Sequence, residues 1–400
     1  MTGAQFADSA AGRVVLGRIG GRPGALLAYR RAFREGQRRQ QAGKCTVEVP
    51  LPPIATQLRE ESPEGEVVKF LLRLDRPADA LSDQQARAAA LSGQVPVGTG
   101  LGRDVSHRFE HLDAESVLIP MIGSSGQRTY TLCVSSQVGC AMGCTFCETG
   151  QMGLIRSLTP DEIVAQWYTA THVLGIRPKN IVFMGMGEPM DNLDSVLQAI
   201  AVLKDHDGAG VPISQITVST AGRVDGIERL AAKVRDPGWH RLGLALSLNA
   251  PNDAARSAIM PLNRRWNLAA LQRALLAWPR RSGNKVCVEY VLIPGVNDSR
   301  DNAREIAEFF RPFGLLEGGR VNGQTVMAVL NLIPYNPRRN SPWPAPTEEH
   351  VGEFMRWLTD LGVFTKRRRT KGREMMGACG QLGSESIRKR QLVRATISGK

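Results

Sequence analysis

Gly139-Cys-Ala-Met-Gly-Cys-Thr-Phe-Cys-Glu-Thr-Gly150 sets three cysteines, Cys140, Cys144 and Cys147, at the spacing C-x3-C-x2-C. Three thiolates can ligate three irons of a 4Fe-4S cluster, whereas a cluster that only carries electrons usually takes four. The remaining iron is then open. It can chelate the amino and carboxylate groups of S-adenosylmethionine (SAM), so that one electron splits the sulfonium and releases a 5'-deoxyadenosyl radical. A zinc site is the competing reading, but zinc asks for a fourth Cys or His in a second recognisable pair, and none lies nearby.

Outward from this loop the chain reads as βα units. Thr129-Val134 is a strand that runs directly into the cysteine loop. Thr159-Pro-Asp-Glu162 supplies an N-cap, a proline at N1 and first-turn acids, which predicts a helix to about Val173. Further strands are expected at Asn180-Met184, Gln215-Ser219, Leu242-Leu248, Val286-Ile293 and Val326-Ile333, with helices near 193–205, 225–233, 267–278, 300–312 and 348–361. The fold class is therefore α/β, a partial (βα)6 TIM-type barrel with a small N-terminal domain, whose ligands gather at the C-terminal strand ends.

The domain reading is an N-terminal region 1–110, a catalytic domain 111–385 and a basic C-terminal tail 386–400. Within the first, Ala25-Gln41 is a basic helical candidate and Val67-Leu74 strand-like, while 76–110, rich in Ala, Gly, Pro, Gln and Ser, reads as an inserted loop.

Composition bounds the function. Of the 400 residues 42% are hydrophobic, enough for one large core and an appendage. No run approaches the roughly 20 apolar residues of a membrane span and no apolar leader stands at the N-terminus, so a cytoplasmic protein without a membrane partner is expected. Seven cysteines at irregular spacing suit a reducing compartment. Lys and Arg number 51 against 38 Asp and Glu, a net charge of +13 that attracts polyanions such as RNA. The basic residues concentrate at Arg30 to Arg39, Lys366 to Arg373 and Arg388 to Arg390; a solvated helix face explains the first group equally well.

Gly185-Met-Gly-Glu-Pro189 ends a strand, and its glycines admit a ligand close to the backbone; its carbonyls and Glu188 can receive the SAM ammonium. Ser219 and Ser247-Leu-Asn249 end later strands in the same manner, with helix capping as the plainer reading of Ser219. Cys287 reads as a small buried hydrophobe in an apolar strand. Cys379 lies in the glycine-flanked Met376-Gly-Ala-Cys-Gly-Gln-Leu382, beyond a basic run expected to lower its pKa. Cys133 lies seven residues before the cluster loop. Two further thiols near a radical cluster suggest sulfur chemistry as much as packing.

These residues resemble the RlmN/Cfr family of radical-SAM methyltransferases that act on adenosine in ribosomal RNA. The resemblance runs from Glu115 to Leu382. It is carried by Glu115-Ser-Val-Leu-Ile-Pro120, Thr131-Leu-Cys-Val-Ser-Ser-Gln-Val-Gly-Cys140, Phe183-Met-Gly-Met-Gly-Glu-Pro189, Asn331-Leu-Ile-Pro-Tyr-Asn-Pro337 and Ala378-Cys-Gly-Gln-Leu382. It implies methylation of carbon 2 of an adenosine in 23S rRNA, with tRNA as a further substrate; carbon 8, or a radical-SAM reaction on a non-RNA substrate, is the alternative. A module that binds RNA without cleaving SAM is the non-enzyme reading.

In the family the late cysteine is methylated first and its S-methyl carbon is then delivered to the base, which makes Cys379 the carrier. Cys133 matches the thiol that forms a disulfide with it to release product, and Glu115 the acceptor of the ring proton. Gly187, Glu188, Ser219, Ser247, Leu248, Asn249 and Asn336 match SAM contacts, with Cys140, Cys144 and Cys147 as cluster ligands. The resemblance also implies an electron donor such as flavodoxin or ferredoxin. Two departures stand out: Asn249 replaces the family's usual His, and Arg373-Glu-Met-Met-Gly377 replaces an acidic segment.

Overall fold

The computed structural model describes residues 1–8, 21–42, 45–74, 111–123, 125–279, 285–316 and 326–383. The expected inserted loop 76–110 and the tail 386–400 lie outside the described residues.

Fourteen strands follow one another along the described chain: β1 (Arg39–Ala42), β2 (Cys45–Glu48), β3 (Ile54–Ser62), β4 (Gly65–Leu74), β5 (Leu112–Ile122), β6 (Arg128–Cys133), β7 (Gln137–Cys140), β8 (Gly153–Ser157), β9 (Asn180–Phe183), β10 (Ile216–Thr220), β11 (Gly243–Ser247), β12 (Val286–Leu292), β13 (Ala328–Pro334) and β14 (Thr365–Arg367). Ten of them form one sheet in the order β14-β13-β12-β11-β10-β9-β6-β5-β4-β3. From β6 to β14 every pair is parallel, and β6, β9, β10, β11, β12 and β13 are the six barrel strands expected. Three antiparallel strands, β5, β4 and β3, extend the β6 edge. The division drawn at residue 110 thus falls between β4 and β5, neighbours in one sheet.

Period-two alternation decides what each barrel strand shows to the interior. In β12, Val286, Val288, Tyr290 and Leu292 are at most 1% exposed on the helix-covered face. Cys287, Glu289 and Val291 alternate with them, and the last two line the central cavity. Leu244 and Leu246 of β11, and Leu330 and Leu332 of β13, pack outward in the same way, leaving Ser247 and Ile333 to face the cavity. In register, Ser219 sits beside Ala245, Ser247 beside Glu289 and Glu289 beside Asn331. Polar side chains from several strands therefore converge at one depth.

The helices fall near their expected positions. Pro160–Tyr168 opens with Pro160 at N1, and the Thr159 amide donates to Glu162 Oε2 at 2.9 Å; its final turn, Thr169–Val173, widens to a π-helix. Leu193–Leu203, Val224–Val234, Leu268–Leu276, Arg300–Phe310 and Glu348–Asp360 cover the sheet. The N-terminal helical candidate is realised as Gly21–Glu35, which packs Ala25, Ala28, Tyr29 and Ala32 inward. Among the described residues no helix is long and apolar enough to cross a membrane.

Candidate functional site

The cluster loop is held between β7 and β8, an antiparallel hairpin separate from the main sheet. Its shape depends on Gly139, which takes φ +75° and lies so close to β8 that a Cβ would stand 1.9 Å from the Gly153 carbonyl oxygen. Gly150, in the helix Glu148–Met152, permits an approach to the Cys144 backbone that a side chain would block, with a Cβ 2.9 Å from Cys144 O. The Cys147 amide donates to Cys144 O at 3.2 Å and Gln151 Nε2 to the same oxygen at 3.0 Å, so the second and third cysteines occupy one tight turn.

Cys140, Cys144 and Cys147 all line one cavity of about 150 Å³ at the C-terminal ends of the strands. Burial pushes each of the three thiols up, and for Cys140 and Cys144 a neighbouring cluster cysteine adds to the shift. As thiolates they need a multivalent positive partner. Among the described residues no three Cys, His, Asp or Glu side chains converge closely enough to hold a single ion. Cys140 and Cys144, buried, and Cys147, partly buried, ring one cavity and suit the corners of a cluster.

The same cavity is lined by Gly185, Gly187, Glu188, Ser219, Ser247 and Asn249. Gly187 has φ +102°, and a Cβ there would meet Gln137 Cβ at 2.6 Å. Glu188 is 2% exposed and forms no ion pair among the described residues. Its Oε2 accepts from the Ala221 amide at 2.8 Å and its Oε1 from the Met190 amide at 3.1 Å. Burial pushes its carboxyl up to about 7 although these amides pull it down. A buried, oriented carboxylate beside the cysteines, without an ion-pair partner among the described residues, fits the N–H donors of the SAM amino group.

Asn249 explains one departure from the family. It takes φ +56°, in the left-handed region where Asn, Asp and His are the enriched side-bearing residues. Its Oδ1 accepts from the Val291 amide at 3.0 Å and its own carbonyl from Asn297 at 2.8 Å. The left-handed backbone here accepts Asn as readily as His. Leu248 is fully buried behind the cavity, and its carbonyl accepts from Arg256 Nε at 2.9 Å. Asn336 lines a smaller adjoining pocket of about 30 Å³ together with Cys379 and Arg368.

Cys379 lines both cavities. The loop that carries it is fastened to the cluster loop: the Glu148 amide donates to Gly380 O at 2.7 Å and Thr149 Oγ1 to Leu382 O at 2.5 Å. Cys133, 5% exposed at the end of β6, interacts electrostatically with Cys379, and Arg368 and Glu289 act on both thiols. Both cysteines are free thiols in this structure. The expected lowering of the Cys379 pKa is corrected. Burial raises the thiol, and Arg368 offsets this only in part. Cys133 is pushed up to about 12, first by burial and then by Cys379.

Glu115 lies outside the cavity, behind the Cys379 loop. It is 1% exposed, pairs with Lys69 Nζ at 2.7 Å and accepts from the Gly383 amide at 3.0 Å.

Three site residues escaped the sequence reading. Glu289 lines the cavity, with Oε1 3.3 Å from Arg368 Nη1 and Oε2 3.4 Å from Ser219 Oγ; a charge inside an apolar strand was its signal. Arg368 was visible only as one member of a basic run. Arg256, fully buried, donates to the carbonyls of Ala221, Ser247 and Leu248 and to Asn263 Oδ1, stitching together the ends of β10 and β11. Nothing in its surrounding sequence marked it.

The family model described as Radical SAM superfamily matches residues 134–309. The chain is 40% identical over 290 residues to the probable dual-specificity RNA methyltransferase RlmN 1 of Protochlamydia amoebophila, spanning 72% of this chain and 75% of that protein. It is 38% identical over 338 residues to the dual-specificity RNA methyltransferase RlmN of Syntrophotalea carbinolica, at 81% and 84% coverage. The crystal structure of a radical SAM methyltransferase from Sphaerobacter thermophilus superimposes with a TM-score of 0.70 at 32% identity, over 95% of this chain and 97% of that one. The chain belongs to the radical SAM superfamily and, within it, to the RlmN family of RNA methyltransferases.

Proposed function

We propose that this protein methylates carbon 2 of an adenosine in 23S rRNA, and an adenosine of tRNA, through a methyl group carried on Cys379. What supports the reading is the fastening of the Cys379 loop to the three-cysteine loop through Glu148 and Gly380, with Cys133 near enough to Cys379 for the two thiols to interact electrostatically. A 4Fe-4S cluster on Cys140, Cys144 and Cys147, reduced by a donor such as flavodoxin or ferredoxin, would supply the electron that splits the sulfonium of SAM.

The chain's own residues do the rest. Gly187, Glu188, Ser219, Ser247 and Asn249 hold SAM from the cavity wall, backed by Leu248 behind them and by Asn336 in the adjoining pocket, with Glu188 accepting from the SAM amino group. The sulfur of Cys379 gives up its proton and takes the methyl group of one SAM by displacement, leaving S-adenosylhomocysteine. A hydrogen atom of that S-methyl would pass to the 5'-deoxyadenosyl radical supplied by cleavage of a second SAM; the S-methyl carbon would bond to the ring, and the surplus electron of the adduct would return to the cluster. Glu115 accepts the ring proton, which requires its pair with Lys69 to open. Cys133 gives up its proton and attacks the sulfur of Cys379, so that a disulfide forms as the carbon–sulfur bond breaks and the departing methylene carbon takes a proton to become the methyl group of the product. An electron-poor ring carbon cannot displace methyl from SAM directly, which is why two sulfurs are needed beside a radical source. The reaction is expected in the cytoplasm, with residues 1–110 and the tail 386–400 aiding RNA capture through their basic groups.

Nucleoside mass spectrometry of rRNA and tRNA from a deletion strain tests this. Loss of 2-methyladenosine from both is expected; loss of 8-methyladenosine instead, or of neither, would overturn the assignment.

A further inference from the structure

The segment 372–383, which bears Cys379, pairs with no strand and forms no helix. It is held by side chains, and several come from strands that precede the barrel. Glu60 of β3 is the most heavily engaged: Oε1 accepts from the Gly372 amide at 3.1 Å, and Oε2 from the Glu374 and Met375 amides at 3.1 and 3.2 Å. Gly372 at φ +71° and Met376 at φ +53° bracket this turn, and the Gly377 amide closes it on Gly372 O at 2.7 Å. Backbone amides converging on one carboxylate form an anion-binding nest, here filled from within the chain.

Neighbouring grips share the work. Glu64, between β3 and β4, pairs with Arg369 at 3.1 Å and Lys371 at 3.4 Å. Lys69 of β4 donates to Met376 O at 2.9 Å. On the far side Arg373 reaches Asn336 Oδ1 at 3.2 Å, and Asn336 donates to Cys379 O at 3.5 Å. The nest thus joins β3 to a turn whose last bound amide, that of Met375, lies four residues before Cys379.

We propose that Glu60 is a positioning residue for the methyl-carrying loop: by filling the nest at Gly372, Glu374 and Met375, it fixes the turn that aims Cys379 into the cavity. The proposal rests on the carrier role of Cys379 given above. It makes the β3–β4 hairpin a mount for the chemistry and not only an extension of the sheet. It also accounts for the replaced acidic segment. A turn whose amides already surround a carboxylate is better served by Arg373, which reaches out to Asn336, than by further acids.

The test compares Glu60→Ala, Glu60→Gln and Glu61→Ala in the full chain; Glu61 is the exposed neighbour on the same strand. The first readout is the rate at which iodoacetamide alkylates Cys379, followed by peptide mass spectrometry. With the turn released, Glu60→Ala should react about fivefold faster at unchanged thermal midpoint, with Glu61→Ala matching the parent. Glu60→Gln, which keeps an acceptor oxygen, should fall between them.

The second readout is deoxyadenosine released per methyl group placed on RNA. It should rise at least about threefold in Glu60→Ala with cluster absorbance unchanged, because a misaimed carrier wastes SAM. Parent-like values of both readouts in Glu60→Ala, or equal changes in Glu61→Ala, would overturn the proposal. Should Glu60→Ala fail to fold, Glu60→Gln decides alone: a rise of about twofold in alkylation is expected, and none overturns it. Alkylation needs no turnover, so it reports on the mount even if Cys379→Ala were found to methylate RNA and the carrier role fell.

Discussion

The amide of Glu148, one residue past the third cluster cysteine, donates to the carbonyl of Gly380, one residue past the late cysteine, at 2.7 Å. That bond joins positions 232 residues apart in sequence. Together with Thr149 to Leu382 it fixes the Cys379 turn against the loop that would carry the cluster, and so brings the proposed methyl carrier and the three cysteines of that loop to one cavity.

Cys379→Ala should abolish RNA methylation, a loss of at least about a thousandfold, because among the described residues no other thiol lines the cavity apart from Cys140, Cys144 and Cys147. The cluster's absorbance should persist, since the Glu148 to Gly380 bond uses only backbone. Residual methylation near the parent rate, measured by radiolabel transfer to rRNA, would point to another carrier.

Glu188 links SAM binding to pH. Its carboxyl, pushed up to about 7 by burial, accepts the N–H bonds of the SAM amino group far better when charged, so affinity for SAM should rise about tenfold as pH goes from about 6 to about 8. The unliganded protein should respond in the opposite sense. A carboxyl that keeps its proton to higher pH in the fold than in the unfolded chain costs stability as pH climbs from its ordinary 4.5 toward 7. Glu188→Gln should flatten both curves and weaken SAM binding, as calorimetry across pH would report.

Arg368 supplies the positive field on the late thiol. Burial holds Cys379 above its ordinary range and Arg368 works against that, so Arg368→Met should raise it further. Alkylation of Cys379 at about pH 8 should slow by roughly tenfold, with the rate profile displaced to higher pH. An unmoved profile would remove Arg368 from the account.

Arg256 is a stability prediction. Its fully buried guanidinium satisfies three strand-end carbonyls, and Arg256→Met would strand them. A loss of about 2–5 kcal/mol is expected in denaturant unfolding of the cluster-free protein. A loss within about 0.5 kcal/mol would show that water replaces it.

What the chain's residues made legible follows from how local each signal is. The barrel strands and their helices were readable because one face of each is continuously apolar, and Thr159-Pro160 announces its own helix. The cluster loop was readable from spacing. By contrast β3, Ile-Ala-Thr-Gln-Leu-Arg-Glu-Glu-Ser, is largely exposed and carries no alternation, so neither it nor Glu60 stood out. The same holds for Arg256, whose partners are backbone carbonyls supplied by other strands, and for the Lys69 to Glu115 pair, which exists only once β4 and β5 lie side by side. Cys133 and Cys379 were brought together by resemblance and not by local pattern; the fold supplies their proximity.

The most direct measurement is mass-spectrometric mapping of the protein–RNA species formed by Cys133→Ala during turnover. With the releasing thiol gone, the account predicts a covalent adduct that accumulates on the RNA and maps to the peptide containing Cys379, joined through one methylene to an adenosine. Free, fully methylated RNA from this variant, with no adduct at residue 379, would contradict it.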